Sequence, residues 1–357
     1  MNKEDRLLRV GVLGCGPIAQ FAHFEACRKA RNAELYAICD VAEDLVTRMA
    51  AVHQPRRTFL RYEEMLADPE LDAVIVATSD PFHVALSQQA LEAGKHVLVE
   101  KPLGIEVEEC EALRARARSA DRVLQVGNMK RFDPGIAFAH RFIREEMGQV
   151  LALKAWYCDS TYRYTMTDNL QPLPERSQGS RKPAGDPKQD RERYFLLTHG
   201  SHLVDTVRFL GGPLRAVRAR LAQKFGAYCW FVEVDFADGS LGQLDLTIAV
   251  RMDFHEGFQV YGERGSVLGR TYLPWFFKSS DVECFSTKDG QYHRPLGADA
   301  HFYKLQVEGL AETVLHGAPL QGADVDEGVE AVRALVAIAR STASGDWVQL
   351  ADVKGGV

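Results

Sequence analysis

A glycine-rich turn is the first part of the chain whose residues could do chemistry. The segment from Gly14 to Ala19 directly follows an apolar run and opens a helical pattern. Glycines at such a turn let the backbone approach a pyrophosphate, and the helix N-terminus supplies N–H donors and a favourable dipole. A tight strand-to-helix turn without a ligand is the alternative. We predict that the dinucleotide contacts here are made by Gly14, Gly16, Pro17 and Ile18.

The next apolar run ends at Asp40, where a carboxylate can accept hydrogen bonds from both adenosine ribose hydroxyls. Val41 and Ala42 follow, so no adjacent Arg or Lys is available for a 2′-phosphate, which the carboxylate would also repel. The sequence therefore favours NAD over NADP as the cofactor. Capping of the helix that begins near Ala42 is a second role for Asp40, and it is compatible with the first.

Two further apolar runs also end in polar residues. One ends at Thr78 and leads to His83, and the next is followed by Glu100, Lys101 and Pro102. Open parallel sheets bind ligands at the carboxyl ends of their strands, so we predict cofactor contacts for Thr78, His83, Glu100 and Lys101. A Lys beside a nicotinamide can hydrogen-bond a substrate hydroxyl or stabilise an oxyanion. Taken alone, Glu100 and Lys101 would more often form a surface ion pair.

A pair of histidines supplies candidate acid/base groups. Thr198 and His199 precede His202, and on a regular helix Thr198, His202 and Asp205 would share one face. Imidazole is suited to proton transfer near neutral pH. Packing of either ring in the core is the plain alternative. Because no third ligand is identifiable for a metal, we predict none.

The segment from Trp156 to Tyr164 is rich in aromatic and polar groups that suit a polyhydroxylated ring. Tyr162 and Arg163 are our candidates for substrate contacts, and simple packing of strand aromatics is the alternative. Residues 166–193 then combine several prolines with many charges and no regular pattern. A mobile surface insertion and a substrate-covering lid fit this stretch about equally, and its place just before the histidines favours the lid.

The elements that must position these residues follow from hydrophobic patterning. Short apolar runs alternating with helical patterns predict an α/β domain with a doubly wound parallel sheet, the Rossmann arrangement, at residues 1–127. Later alternating segments predict an α+β domain with an open-faced, mostly antiparallel sheet at 128–357, in which 166–193 is the insertion or lid. The predicted strands are 9–13, 34–39, 73–78, 96–99, 123–126, 150–158, 216–224, 227–236, 242–250, 257–261, 266–270 and 282–287. The predicted helices are 19–30, 42–53, 62–67, 81–93, 106–120, 198–210, 299–316 and 325–344.

Bulk composition is that of a globular protein with ample core material, with 46% hydrophobic and 26% charged residues in a chain of 357. That length predicts two domains. A formal net charge of −6 argues against nucleic acid as a partner. The charged N-terminus leads into a short apolar segment, so we expect no signal peptide, no membrane anchor and a cytoplasmic protein. Seven cysteines without a Cys-x-x-Cys pair indicate buried free thiols.

Taken in order, these residues resemble the glucose-fructose oxidoreductase, inositol dehydrogenase and MocA (Gfo/Idh/MocA) family. The resemblance rests on the glycine turn, Asp40, Thr78 with His83, Glu100 to Pro102, Val126 to Pro134, and Gly200 to Arg208. It implies a nicotinamide-binding Rossmann domain and an open-faced sheet domain that assembles homodimers or homotetramers. It further implies that Arg131 contacts the cofactor, that Lys101 contacts the reacting hydroxyl and that His202 is the acid/base.

One position departs from that family, because Thr198 stands where many members carry Asp, and Thr cannot supply a carboxylate. Thr198 and His199 remain candidate catalytic residues, and His199 and His202 candidate substrate contacts. The favoured hypothesis is NAD(H)-dependent oxidation of a secondary hydroxyl on a sugar, glycoside or cyclitol, and the resemblance favours a glycoside or sugar 3-dehydrogenase. The alternatives are NAD-assisted glycoside cleavage and a non-catalytic nucleotide-sensing regulator, for which Thr198 is the best support.

Overall fold

A computed structural model describes residues 6–161, 173–181, 183–184, 189–298 and 300–357. The described residues group into two compact units. The first unit draws on Met1–Met129, Gln171–Pro187 and Phe302–Val329, and the second on Lys130–Leu170, Lys188–His301 and Glu330–Val357. Tyr162 and Arg163, which we predict to contact substrate, lie outside the described residues. The division of the chain at residue 127 stays a prediction.

The first unit is built on a six-stranded parallel sheet in the order β3-β2-β1-β4-β5-β6. Its central strand β4 is buried at every position, as expected for a sheet covered by helices on both faces. The strands are β1 Leu8–Leu13, β2 Ala33–Cys39, β3 Arg57–Phe59, β4 Ala73–Val76, β5 His96–Val99 and β6 Leu124–Val126. This sheet confirms the predicted doubly wound arrangement.

Helices connect these strands. The glycine turn after β1 leads into a π-helical segment at Ala19–His23, which continues as α1. The α-helices of this unit are α1 Phe24–Lys29, α2 Glu43–His53, α3 Tyr62–Leu66, α4 His83–Glu92 and α5 Val107–Ala120, with a short 3-10 turn at Asp80–Phe82. A later helix, Phe302–His316, belongs to the same unit. Parallel strands joined by helices place every β-to-α turn at one edge of the sheet.

The second unit is built on a nine-stranded sheet in the order β14-β13-β12-β11-β7-β10-β9-β8-β15. Among the strand pairings in the described part of this unit, only β7–β10 is parallel, which confirms the predicted mostly antiparallel sheet. Its strands are β7 Val150–Ser160, β8 Leu214–Lys224, β9 Ala227–Phe236, β10 Leu241–Val250, β11 His255–Gly262, β12 Gly265–Thr271, β13 Asp281–Ser286, β14 Gln291–His293 and β15 Val348–Gln349.

The helices of the second unit include two that patterning did not predict. In chain order the remaining α-helices are α6 Pro134–Glu145, α7 Arg191–Phe195, α8 Ser201–Gly211, α9 Phe302–His316 of the first unit and α10 Val325–Ser344, with 3-10 turns at Met129–Phe132, Pro274–Phe276 and Leu350–Asp352. Helices α6 and α7 are the unpredicted ones, and α7 begins inside the stretch 166–193 that was expected to have no regular pattern. Asp133 caps α6 by accepting a hydrogen bond from the Gly135 backbone N–H at 2.8 Å, and the same carboxylate binds the Ser280 backbone N–H at 3.0 Å.

Two features of the described residues bear on partners. No helix among them is long and apolar enough to span a bilayer. Within the same part of the chain, no group of three or more His, Cys, Asp and Glu side chains is arranged to hold a metal ion. All seven cysteines are free, and Cys158 and Cys229 are the two that are not fully buried.

Candidate functional site

The glycine turn has the backbone geometry of a ligand cradle. Gly14 has a φ of +96°, and a Cβ there would lie 2.6 Å from the carbonyl oxygen of Ala77, so only glycine fits. A Cβ at Gly16 would meet no atom within 4 Å, because that position faces open space. The first helical residues follow at Ala19, so backbone N–H groups lie close to this space. The turn therefore suits a close approach by a phosphate group.

Asp40, at the end of β2, is fixed beside that turn by backbone donors. Its carboxylate accepts hydrogen bonds from the N–H of Cys15 at 2.8 Å and of Ala42 at 3.0 Å. The bond to Cys15 ties the carboxylate directly to the glycine turn. The anticipated cap by Asp40 is wrong, because Ala42 is itself the N-cap residue of α2 and the helix has no side-chain cap hydrogen bond. The ribose contact of Asp40 stays a prediction.

A cavity of about 560 Å³ joins these features within the first unit. That volume is within the usual range for small-molecule and cofactor sites. Of the predicted cofactor residues, the cavity is lined by Gly14, Gly16, Pro17, Ile18, Asp40 and Thr78. Two arginines that the sequence reasoning missed, Arg61 and Arg181, line it as well. They are remote from Asp40 in sequence, so inspection of its immediate neighbours did not reveal them.

His83 joins two strand-end loops rather than lining the cavity. The ring is buried, with Nδ1 2.7 Å from the carbonyl oxygen of Pro102 and Nε2 3.1 Å from that of Thr78. His83 thereby connects the loop after β4 to the loop after β5. The cofactor contact predicted for His83 stays a prediction, and its described contacts are structural.

Glu100 is a buried carboxylate that precedes Lys101 at the end of β5. Its Oε1 lies 2.8 Å from Nε2 of His23, and its Oε2 accepts a hydrogen bond from the Lys101 N–H at 3.1 Å. Burial alone would raise the pKa of Glu100, but the hydrogen bond from His23 and the nearby positive charges outweigh burial and lower it. The Lys101 backbone is therefore held by an ionised, buried side chain. The Lys101–Pro102 peptide bond is cis.

The histidine pair lies in the second unit, where the helix is not regular. Thr198 and His199 belong to a π-helical segment, Leu196–Gly200, and His202 lies in the first turn of α8. His199 is buried, whereas His202 is half-buried and stacks on Tyr157 with ring centroids 6.0 Å apart. The regular spacing assumed between Thr198 and His202 was therefore wrong, whereas His202 and Asp205 both lie in α8 as expected. A π-helical turn changes which residues share a face.

Asp159 is a buried carboxylate beside His199. Its Oδ2 lies 3.2 Å from Nδ1 of His199, and both side chains are buried. The hydroxyl of Tyr157 lies 3.4 Å from the same nitrogen. Sequence reasoning missed Asp159, although the alternation of β7 places it on the same buried face as Tyr157. That alternation was the available signal.

Two basic residues near the start of the second unit form buried ion pairs. Lys130 pairs with Glu256 at 2.5 Å, and its ammonium also lies 4.6 Å from the centroid of the Tyr157 ring. Burial raises the pKa of Glu256, against the opposing effect of Lys130. Arg131 binds Asp205 through Nη2 at 2.7 Å and through Nε at 3.1 Å. The guanidinium of Arg131 is therefore paired with the carboxylate of Asp205. The cofactor contact predicted for Arg131 stays a prediction.

Comparison with known families agrees with this architecture. The family described as "Oxidoreductase family, NAD-binding Rossmann fold" matches residues 8–128, and the one described as "Oxidoreductase family, C-terminal alpha/beta domain" matches residues 188–350. The chain belongs to the Gfo/Idh/MocA family. These matches confirm the predicted resemblance. The protein is a member of an oxidoreductase family and has an NAD-binding Rossmann fold.

Relatives of this family member act on different compounds. A 1,5-anhydro-D-fructose reductase from Ensifer adhaerens is 26% identical over 364 residues, which cover 98% of this chain and 99% of that protein. An inositol 2-dehydrogenase/D-chiro-inositol 3-dehydrogenase from Shouchella clausii is 34% identical over 172 residues, 46% of this chain and 50% of that protein. Among solved structures, levoglucosan dehydrogenase in complex with NADH is similar with a TM-score of 0.78 at 20% identity, covering 97% of this chain and 99% of that one.

Proposed function

We propose that this protein is an NAD(H)-dependent oxidoreductase that oxidises a secondary hydroxyl of a sugar, glycoside or cyclitol. The observation that carries the proposal is the cradle of Gly14, Gly16 and Asp40 around one cavity, in a chain of this family. The cradle fits NAD because it offers open backbone to a pyrophosphate and a fixed carboxylate to a ribose. Relatives named for inositol, levoglucosan and anhydrofructose share a ring that carries several hydroxyls.

The chain's own residues have distinct roles in this proposal. Lys101 donates a hydrogen bond to the reacting hydroxyl, and His202 accepts its proton. NAD, when bound, accepts the hydride from the carbinol carbon. The half-buried position of His202 supports its role, because a ring that exchanges protons with a substrate must be reachable. Oxidation at carbon 3 of a glycoside or sugar is the specific reaction we favour.

Asp159 and His199 extend this arrangement. A carboxylate beside an imidazole nitrogen orients the ring and stabilises its protonated form. The Asp159–His199 contact supplies such a pair although Thr198 cannot. Tyr157 contacts His199 through its hydroxyl and His202 through its ring face. We propose that Asp159 and His199 position the acid/base machinery and that Tyr157 connects the two histidines.

The test of the proposed function is NADH formation. Purified protein is mixed with NAD or NADP and with levoglucosan, myo-inositol, scyllo-inositol or methyl glucosides, and absorbance of the reduced nicotinamide is followed. We expect turnover with at least one polyol, and faster turnover with NAD than with NADP because of Asp40. Release of free sugar without accumulation of NADH would instead support glycoside cleavage. Tight NADH binding without turnover on any compound would favour a regulator.

The open face of the nine-stranded sheet supports assembly into a homodimer or homotetramer. Large apolar side chains are exposed in different rows of the sheet, including Phe231 at 57%, Leu268 at 45% and Tyr292 at 64%. Exposed large apolar side chains on one sheet are candidates for an interaction surface. Light scattering should give a dimer or larger for the wild type, and the double substitution Phe231→Glu with Leu268→Glu should shift it towards monomer. A monomeric wild type at micromolar concentration would contradict this assembly.

A further inference from the structure

Residues 173–181, which we call the strap, pack against the first unit. They come from the proline-rich stretch that the sequence left open as a surface insertion or a substrate lid. Most of the strap is solvent-exposed and without helix or strand, so packing of apolar side chains does not hold it. Hydrogen bonds to two helices of the unit hold it instead.

The first tether joins the strap to the π-helical segment that follows the glycine turn. Glu175 donates its backbone N–H to Oε1 of Gln20 at 2.9 Å, and its carbonyl oxygen accepts from Nε2 of Gln20 at 3.0 Å. The same Nε2 donates to the carbonyl oxygen of Cys15 at 2.8 Å, inside the glycine turn. One amide side chain therefore binds both the strap backbone and the turn.

The second tether joins the strap to α2, the helix that follows Asp40. Ser177 donates its hydroxyl to Oδ1 of Asp44 at 2.5 Å, and Nη2 of Arg48 donates to the carbonyl oxygen of Arg176 at 3.0 Å. The hydrogen bond from Ser177 is the main reason that the pKa of Asp44 lies below its usual value. The strap thus spans from the element after β1 to the element after β2, across the turn where a dinucleotide would lie.

The end of the strap reaches the cavity itself. Ser180 and Arg181 line it together with Gly14, Gly16 and Asp40. The guanidinium carbon of Arg181 lies 5.3 Å from the centroid of the Phe82 ring, in the turn after β4. The strap therefore has contacts with the segments that follow β1, β2 and β4.

The charged side chains that line the cavity also bear on the role of Arg181. The ionisable carboxylates and guanidiniums that line the cavity are Asp40, Glu63, Arg61 and Arg181, so their formal charges cancel. Arg61 lies 4.0 Å from Glu63 and 3.6 Å from Glu64, whereas the described part of the chain gives Arg181 no ion pair. A dinucleotide brings two negative charges on its pyrophosphate, and a guanidinium matches phosphate oxygens in a bidentate manner.

We propose that the strap is a built-in part of the cofactor site, in which Arg181 binds the pyrophosphate of NAD(H) and the two tethers slow its release. This inference rests on the proposed function, because it takes NAD(H) as the occupant of the cavity. It assigns the insertion a role in holding cofactor rather than in covering substrate. Arg181 is the residue that carries the affinity, and Gln20 and Ser177 are positioning residues.

The test measures NADH binding directly, without a substrate. The dissociation constant is obtained from the fluorescence of bound NADH, and the release rate from stopped-flow displacement by excess NAD. Arg181→Met should raise the dissociation constant about tenfold, as expected for the loss of a charge-assisted contact. Arg181→Lys should recover part of that loss, and added salt should narrow the difference between Arg181→Met and the wild type. Gln20→Ala and Ser177→Ala should mainly speed release.

The matched control is Arg176→Met, which removes the same charge from the same strap, because only the backbone carbonyl of Arg176 is used by a tether. It should leave binding and release within about twofold of the wild type. Equal losses in Arg176→Met and Arg181→Met would overturn the specific role of Arg181. An unchanged rate of NADH release in Arg181→Met, Gln20→Ala and Ser177→Ala would overturn the proposed role of the strap. It would leave the proposed function of the protein intact. A wild type that binds no NADH would overturn both.

Discussion

Lys101→Met and His202→Ala should each lower turnover by about 10²- to 10⁴-fold, the range that a positioned proton-transfer group contributes. Lys101→Met removes the proposed donor to the reacting hydroxyl while keeping most of the side-chain length. His202→Ala removes the proposed proton acceptor from the start of α8. The dissociation constant for NADH should change far less than turnover in both variants, because the cavity proposed for the cofactor is lined by other residues.

Matched controls separate this loss from a general effect of substitution. Lys288→Met removes an exposed ammonium from the turn before β14, and His293→Ala removes an exposed imidazole that pairs with Asp289. Both controls should keep turnover near that of the wild type. Near-normal turnover in Lys101→Met and His202→Ala, measured with the compound that gives most NADH, would remove these two residues from the mechanism.

Asp159→Asn belongs to the same series and should give a smaller loss, about 10- to 100-fold in turnover. Asn keeps the shape of the side chain but removes the charge that lies 3.2 Å from Nδ1 of His199. Thr198→Ala should have little effect, since Thr198 supplies no carboxylate. The reverse ranking, with Thr198→Ala more damaging than Asp159→Asn, would show that the carboxylate is not part of the acid/base arrangement.

Residue types predicted the parallel sheet well because its strands are buried on both faces. A run such as Ala73–Val76, apolar at every position, has few alternatives to a central strand. The edge strand Arg57–Phe59 was missed for the opposite reason, since its residues are exposed or half-buried and leave no apolar run. Helix α6 was missed although Asp133 followed by Pro134 is a recognised helix start.

Parts of the site escaped prediction because their contacts either involve backbone groups, which every residue carries, or join side chains that only the tertiary fold brings together. The strap is held through the backbone of Glu175 and Arg176, and a backbone carbonyl leaves no trace in residue type. The Asp159–His199 pair joins residues of a strand and a π-helical turn, and its partner assignment requires the tertiary fold. By contrast, the Gly14 turn and Asp40 depend on local spacing, which is why the sequence located them.

Asp205→Asn should lower the free energy of unfolding by about 3–5 kcal/mol, the usual cost of breaking a buried ion pair from one side. The Arg131 and Asp205 side chains are 6% and 3% exposed, so solvent cannot replace the lost charge. The guanidinium carbon of Arg131 also lies 4.9 Å from the centroid of the Phe209 ring, which keeps it in this apolar environment. Urea unfolding followed by circular dichroism measures the change, and a loss below about 0.5 kcal/mol would contradict the argument.

The double variant Arg131→Met with Asp205→Leu provides the decisive comparison. Replacing a buried pair by apolar side chains of similar volume is often neutral or stabilising, so this variant should regain most of the stability that Asp205→Asn loses. The NADH affinity of this double variant then shows whether Arg131 contacts the cofactor, as predicted. If the stable double variant binds NADH as tightly as the wild type, Arg131 has a structural role in the second unit. Loss of a guanidinium that contacted the cofactor would weaken NADH binding even in a well-folded protein.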